Sequence, residues 1–151
     1  HGVETELAGT LFAVVMALST VGQPIVGWVS DRRSRDLGIA GSATLSGSGL
    51  AILLAVPDFL GLAVGTVVLG SGVTWGGALQ ARFMDQFTDD ERGFGFGLVR
   101  SVYMFLAAPG SVIVGTLADT GGWVFGYGAV IAVLALSLVA LAVNRALSLD
   151  L

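Results

Sequence analysis

The sequence has no cysteine and no lysine, and its one histidine is the first residue, His1. Without cysteine the chain can form neither a disulfide nor a thiolate metal site. A single terminal imidazole does not supply the several ligands of a histidine metal centre. We therefore predict no metal and no cofactor, and the net charge of −4 leads us to expect no nucleic-acid partner.

Charge is the next scarce property, since charged residues make up 12% of the chain and hydrophobic residues 54%. Five stretches of 18 to 25 residues carry no charge: 7–30, 37–57, 59–81, 101–118 and 120–144. A bilayer core about 30 Å thick is crossed by about 20 helical residues. The alternation typical of barrel strands is missing, for example from the continuously apolar run 132–143. The sequence therefore predicts an all-α membrane protein.

We predict five transmembrane helices, joined by short links that make successive helices antiparallel neighbours. Their approximate bounds are 7–29, 37–56, 59–83, 94–117 and 123–144. Proline inside a helix removes a backbone donor, so we expect bends at Pro24 and Pro109. The polar start HGVETE is unlike a signal peptide and lacks methionine, so we expect a piece of a longer protein, with the residues before His1 unknown.

All seven basic residues are arginines, and the predicted topology places them on one side of the membrane. They are Arg32, Arg33, Arg35, Arg82, Arg92, Arg100 and Arg145. The opposite side carries acidic residues only, among them Asp58 and Asp119. Because cytoplasmic loops are rich in arginine, we predict a multi-pass plasma-membrane protein with its amino terminus outside and its carboxyl terminus in the cytoplasm.

A charged turn, GWVSDRRSRD at 27–36, separates the first two predicted helices. Its arginines could serve topology alone. Its acids, Asp31 and Asp36, add nothing to topology, and Gly27 stands one helical turn before Asp31, where a small residue lets another helix approach. The pattern Gly-x-x-x-Asp-Arg-x-x-Arg at 27–35 resembles the signature loop of the major facilitator superfamily. It departs from that signature at Ser34, where the family prefers glycine, and at Asp36, where it prefers arginine.

Further segments are similar to the same family. The run MDQFTDDERGFGFG at 84–97 resembles the cytoplasmic link after the fourth helix of a six-helix half. Ala-Pro-Gly at 108–110 resembles the fifth helix, and the apolar last span resembles the closing helix of the protein. The resemblance implies a partial six-helix half, the second one without its first helix, whose missing half would be its partner together with the lipid bilayer.

The resemblance also implies residues for a cytoplasmic gate. These are Gly27, Asp31, Arg32, Arg35, Asp85 and Arg100. Asp31 would contact the amino end of a facing helix, while Arg32 and Arg35 would pair with Asp85 or with acids at 89–91. Arg100 has three competing uses: contact with an anionic substrate, a gate ion pair, or snorkelling to the membrane surface.

Helical spacing suggests which side chains face a central cavity. The candidates are Met16, Ser19, Gln23, Thr66, Thr74 and Tyr103. Plain helix packing explains each of them as well, and a threonine can bond its own backbone carbonyl. Glycines four apart, such as Gly72 and Gly76, are interpreted as packing positions.

The uncharged stretches contain no carboxylate, so the sequence shows neither an intramembrane proton site nor an acid–base pair for catalysis. We predict a secondary transporter, not an enzyme, that moves a small-molecule substrate by alternating access, with or without a coupling ion. The alternative is a multipass scaffold or regulatory subunit that transports nothing. Substrate identity, transport direction and oligomeric state are beyond the sequence.

Overall fold

The computed structural model describes residues 4–56 and 58–147 of the chain. His1 and Pro57, the last residue of the second uncharged stretch, lie outside these ranges. The described residues form α-helices joined by turns, with no strand among them. The helices are α1 (Thr5–Arg32), α2 (Arg35–Ala55), α3 (Phe59–Gly72), α4 (Trp75–Met84), α5 (Arg92–Ala107), α6 (Gly110–Gly121) and α7 (Trp123–Leu147).

These helices make up five segments that are long and apolar enough to cross a membrane. Helices α1, α2 and α7 each form one segment, whereas α3 with α4 and α5 with α6 form the other two. The prediction of an all-α membrane protein with five spanning segments is confirmed. Helix α1 also runs without interruption through Pro24.

The third segment is interrupted at Val73 and Thr74, so it consists of two helices rather than the one continuous helix that its sequence predicts. The Thr74 N–H donates to Gly72 O at 2.7 Å, two residues back, instead of four residues back as in an α-helix. The Thr74 hydroxyl donates to Ser71 O at 3.3 Å. A β-branched hydroxyl residue that bonds the local backbone competes with the helical pattern, which explains the break.

The fourth segment is interrupted at Ala108 and Pro109, close to the bend expected from the sequence. Proline has no N–H to donate to the preceding turn, and it suits the start of a helix. Helix α6 accordingly begins at Gly110. Between α6 and α7, Gly122 adopts a φ of 82°, a conformation that favours glycine.

Helix α2 is the centre of the fold and contacts α1, α3, α4 and α7. Its closest neighbour is α3, and the two backbones approach through glycine. A Cβ on Gly49 would lie 2.4 Å from the Leu69 nitrogen, and one on Gly72 would lie 2.3 Å from the Ser46 nitrogen. In lipid, where apolar surface gives helices no reason to associate, such small residues allow the backbone contact that stabilises the pair.

The described interior holds hydroxyl residues and glycines among a few apolar side chains, whereas the surface carries many large apolar side chains, unlike that of a soluble domain. The buried polar residues all carry hydroxyls: Ser19, Ser30, Ser42, Ser46, Thr66 and Thr74. The buried hydrophobic residues are Ile39, Ala43, Leu50 and Ala78, whereas many large side chains such as Phe94 and Phe105 are exposed. This distribution is the one expected for helices whose outer faces are solvated by lipid.

Candidate functional site

The charged turn between α1 and α2 is short because each helix end is capped within it. Helix α1 ends at Arg32, and the Arg33 N–H donates to Val29 O at 2.9 Å. The Ser34 hydroxyl accepts a hydrogen bond from the Leu37 N–H at 3.4 Å and caps the start of α2. A serine is therefore useful at the position where the signature loop prefers glycine, since serine is among the favoured capping residues.

Arg35 connects three elements at this end of the fold. Its guanidinium forms an ion pair with Asp31 on the last turn of α1, and its Nε lies 2.9 Å from Asp85 Oδ2 at the end of α4. Its Nη1 also lies 3.5 Å from the Ser30 hydroxyl. The structure thus brings together the predicted gate residues Asp31, Arg35 and Asp85.

A second ion pair joins Asp36 at the start of α2 to Arg82 near the end of α4. Its side chains are the more buried, with 29% of Asp36 and 21% of Arg82 exposed. The sequence analysis did not predict this pair, because it proposed no partner for Asp36, which stands where the signature prefers arginine. The sequence does contain a signal for the pair. Arg35 and Asp36 at the start of α2 are complementary in charge to Asp85 and Arg82, which lie one turn apart at the end of α4.

The two ion pairs form a double clamp between the start of α2 and the end of α4, which we call the α2–α4 clamp (Arg35–Asp85 and Asp36–Arg82). All four side chains stand at the ends of membrane-length segments. Ion pairs that water can reach gain little net free energy, because hydration competes with the partner. Such contacts can form and separate during a conformational cycle.

The remaining predicted gate residues do not join the clamp. The Arg32 guanidinium carbon lies 4.5 Å from the centre of the Trp28 ring, and that of Arg100 lies 5.9 Å from the centre of the Phe96 ring. A cation over an aromatic face is attracted by the ring's electron density. Apart from its own helix, no described residue would lie within 4 Å of a Cβ at Gly27, so no other helix in 4–56 and 58–147 approaches it there.

The link from α4 to α5 is ordered by its own hydrogen bonds. The Thr88 hydroxyl and the Thr88 N–H donate to Glu91 Oε2 at 2.8 and 3.2 Å. Both bonds favour the ionised carboxylate, so the pKa of Glu91 is lowered. The bond from the hydroxyl has the larger effect and the bond from the amide the smaller. Arg92 pairs with Asp89 at 2.8 Å in the next turn.

The cavity candidates differ in burial. Ser19, Thr66 and Thr74 are buried between helices, whereas Met16 and Gln23 are exposed on α1. Tyr103 is half-buried on α5, and its hydroxyl accepts from Gln80 Nε2 on α4 at 3.5 Å. The structure therefore does not bring the six residues onto one surface.

A bundle of membrane-length helices with buried hydroxyls and ion pairs at one end is typical of a multi-pass membrane protein rather than of a soluble one. The chain matches the family model of the Major Facilitator Superfamily over residues 1–148. It therefore belongs to the Major Facilitator Superfamily, as its signature-like turn predicts. No curated protein and no solved structure matches the chain significantly.

Proposed function

We propose that this chain forms the second half of a secondary transporter, without that half's first helix, and that the transporter moves a small organic solute by alternating access. Two six-helix units that rock about a central site are the usual design of such carriers. Family membership and the buried hydroxyls support the assignment. Under it, the chain works with a first half and with the lipid bilayer, and it changes the position of its solute rather than its chemistry.

The observation that carries the proposal is the meeting of Asp31, Arg35 and Asp85 beside the α2–α4 clamp. The Asp31 side chain is 64% exposed although it pairs with Arg35. It therefore has surface available for the other half. When the cytoplasmic side closes, Asp31 contacts the positive amino end of a facing helix. When that side opens, this contact separates, while Arg35 keeps Asp31 in position.

The exposed face of α1 suits the interface and cavity between the halves. Met16 and Gln23 lie on this face, and Gly27 at its end leaves room for a helix of the other half. Tyr103, joined to Gln80, and the exposed Arg100 would line the cytoplasmic mouth of the same cavity. Ser19, Thr66 and Thr74 would shape the cavity wall from within the bundle.

The orientation follows from the arginines. The turn after α1, the link before α5 and the end of α7 fall on one side of a five-segment chain, and basic residues accumulate there. We assign this side to the cytoplasm of a plasma-membrane protein, with the amino terminus outside. Because residues 1–151 contain no cysteine, a cysteine introduced among them is the only thiol in this part of the protein.

The orientation test uses Arg33→Cys, Asp90→Cys and Thr120→Cys in intact cells, with a thiol reagent that does not cross membranes. We expect Thr120→Cys to react from outside, and the other two to react only after permeabilisation. Labelling of Arg33→Cys and Asp90→Cys from opposite faces would contradict the topology and the transporter assignment with it.

The functional test is solute uptake by the full transporter in vesicles, screened across classes of small organic solutes. Neutralising Asp31 or Asp85 as asparagine should slow uptake about tenfold, because losing a gate contact of about 1.4 kcal/mol changes an equilibrium tenfold. The matched control is Asp90→Asn, an exposed acid in the α4–α5 link. Membrane insertion should be equal in all three variants. A chain that inserts normally but transports nothing would instead be a scaffold or regulatory subunit.

A further inference from the structure

A cluster of buried hydroxyls surrounds the break in the third segment, near the middle of its length. Ser42 Oγ on α2 lies 3.0 Å from Thr74 Oγ1, and both residues are buried. The Thr74 hydroxyl also lies 3.3 Å from Ser71 O, to which it can donate. Either hydroxyl can donate across the Ser42–Thr74 contact, and the three oxygens form a chain that crosses from α2 to the end of α3.

Ser46 lies one turn beyond Ser42 on the same face of α2 and is only 4% exposed. Its Oγ has no hydrogen-bond partner in the described chain. A Cβ built on Gly72 would lie 2.7 Å from this oxygen, so the hydroxyl is directed at the last residue of α3. A buried hydroxyl without a partner is costly, and its persistence calls for a ligand.

The backbone of the break leaves further oxygen atoms at the end of α3, next to Thr74 in the chain. Because the Thr74 N–H donates to Gly72 O, it does not serve Gly70 O, its usual partner four residues back. Ser71 O accepts from a side chain. These carbonyls stand at the carboxyl end of α3, where the aligned peptide dipoles favour a positive charge.

The chemistry of these donors selects a class of ligand. Every group is a neutral oxygen, and no set of three histidine, cysteine, aspartate or glutamate residues in 4–56 and 58–147 could hold a metal. Divalent Ca²⁺ and Mg²⁺ are bound through carboxylates, which this site lacks. Carbonyls of an interrupted helix together with hydroxyls are instead the ligands that transporters offer to Na⁺ at mid-membrane.

We propose that Ser42, Ser46 and Thr74, with the carbonyls at the end of α3, form a Na⁺ site. Filling it gives Ser46 its missing partner and ties α2 to both sides of the break. Within the proposed transport function, on which this consequence rests, Na⁺ is the coupling ion that this half of the carrier binds.

The binding test uses Trp75, which follows Thr74 directly, as a fluorescent reporter in the purified full transporter. Every tryptophan outside this position, Trp28 and Trp123 included, is replaced by phenylalanine. NaCl is titrated against choline chloride at constant ionic strength, and KCl is the second cation. We expect a saturable change with Na⁺ that choline does not produce.

Ser46→Ala should weaken the Na⁺ response roughly tenfold or more, because it removes one ligand. It should not lower the thermal stability without Na⁺, since it removes only an unpartnered hydroxyl. Ser48→Ala, two residues away on the exposed face of α2, is the control and should respond like the parent. Thr74→Ser, which keeps the hydroxyl, should keep the response, and Thr74→Val should lose it.

A parent that gives no Na⁺-specific change, or a Ser46→Ala variant that responds like the parent, would overturn the site and leave a buried water as the partner of Ser46. Uptake in vesicles separates this failure from failure of the transport function. Uptake that is equal in Na⁺ and choline, with flat fluorescence, removes the site but keeps the carrier. A Na⁺ response without uptake of any solute keeps the site and removes the carrier.

Discussion

The α2–α3 interface and helix α5 use the same small residue in opposite ways. In the interface, Gly49 and Gly72 are buried, and any added Cβ would strike the neighbouring backbone. On α5, Gly93 and Gly97 stand four residues apart, yet nothing lies within 4 Å of a Cβ on either. Glycine spacing alone therefore does not show where helices meet, because the same pattern serves a completed contact and an open face.

The two regions also differ in what they bury. Helix α2 buries seven residues, among them two serines and two glycines. Helix α5 buries only Gly95, which lies against the Phe87 ring. The first region is closely packed against other helices of this chain. The second leaves its apolar side chains to lipid or, under the proposed function, to the other half of the transporter.

The largest expected effect comes from adding a side chain to one glycine of each region, Gly72 at the α2–α3 interface and Gly97 on α5. Gly72→Val should destabilise the fold by more than about 3 kcal/mol, since its Cβ would meet the Ser46 backbone and no side-chain movement relieves the clash. Gly97→Val should leave the thermal stability in detergent within about 0.5 kcal/mol, as for exposed positions in general. The measurement is thermal unfolding followed by size-exclusion chromatography. Equal losses in both variants would mean that the α5 face is also packed.

A smaller effect is expected at the α2–α4 clamp, which holds the end of α4 to the packed region. Asp36→Asn should cost about 1 kcal/mol, because Arg82 loses a partly buried partner. The exchange of charges, Asp36→Arg with Arg82→Asp, should recover part of that loss, and Asp36→Arg alone should be the least stable of the three. Thermal unfolding at low and high salt gives the measurement, with Asp90→Asn as the exposed control. A double variant no better than the single Asp36→Arg would argue against a direct pair.

The smallest effect concerns the start of α5, at the edge of the open region. The bonds from Thr88 lower the pKa of Glu91. The ionised carboxylate therefore stabilises the folded link fully above the ordinary glutamate pKa, and this stabilisation is lost as the pH falls through the lowered pKa. Amide exchange in residues 92–95 should therefore lose protection on acidification, beyond the intrinsic pH dependence of exchange. In Glu91→Gln this additional loss should disappear. Protection that falls equally in both proteins would assign the change to another group.

Much of the fold follows directly from the sequence. The spacing of charges predicted five membrane-length segments, and Pro109 marked the interruption of the fourth. The break at Val73 and Thr74 was not predictable in the same way. It depends on a hydroxyl that bonds Ser71 O and on an α2 backbone that lies against Gly72, and the second of these is a contact between helices.

The candidate site shows the same division. Asp31, Arg35 and Asp85 were identified from the signature-like turn and from the charge after the third segment. The pairing of Asp36 with Arg82 was missed, although both residues carry charge beside the predicted gate. Distance along the chain, 46 residues, conceals a contact that only the antiparallel packing of α2 beside α4 creates.

By itself, the sequence determined that this protein crosses the membrane, and it predicts that the arginines lie on one side of it. These properties follow from the transfer of single side chains between water and lipid, which each residue decides almost alone. Tertiary structure decided which glycines become contacts, which charges become pairs and which hydroxyl is left without a partner. Those outcomes depend on ångström-scale distances between helices, and no local pattern in the chain specifies them.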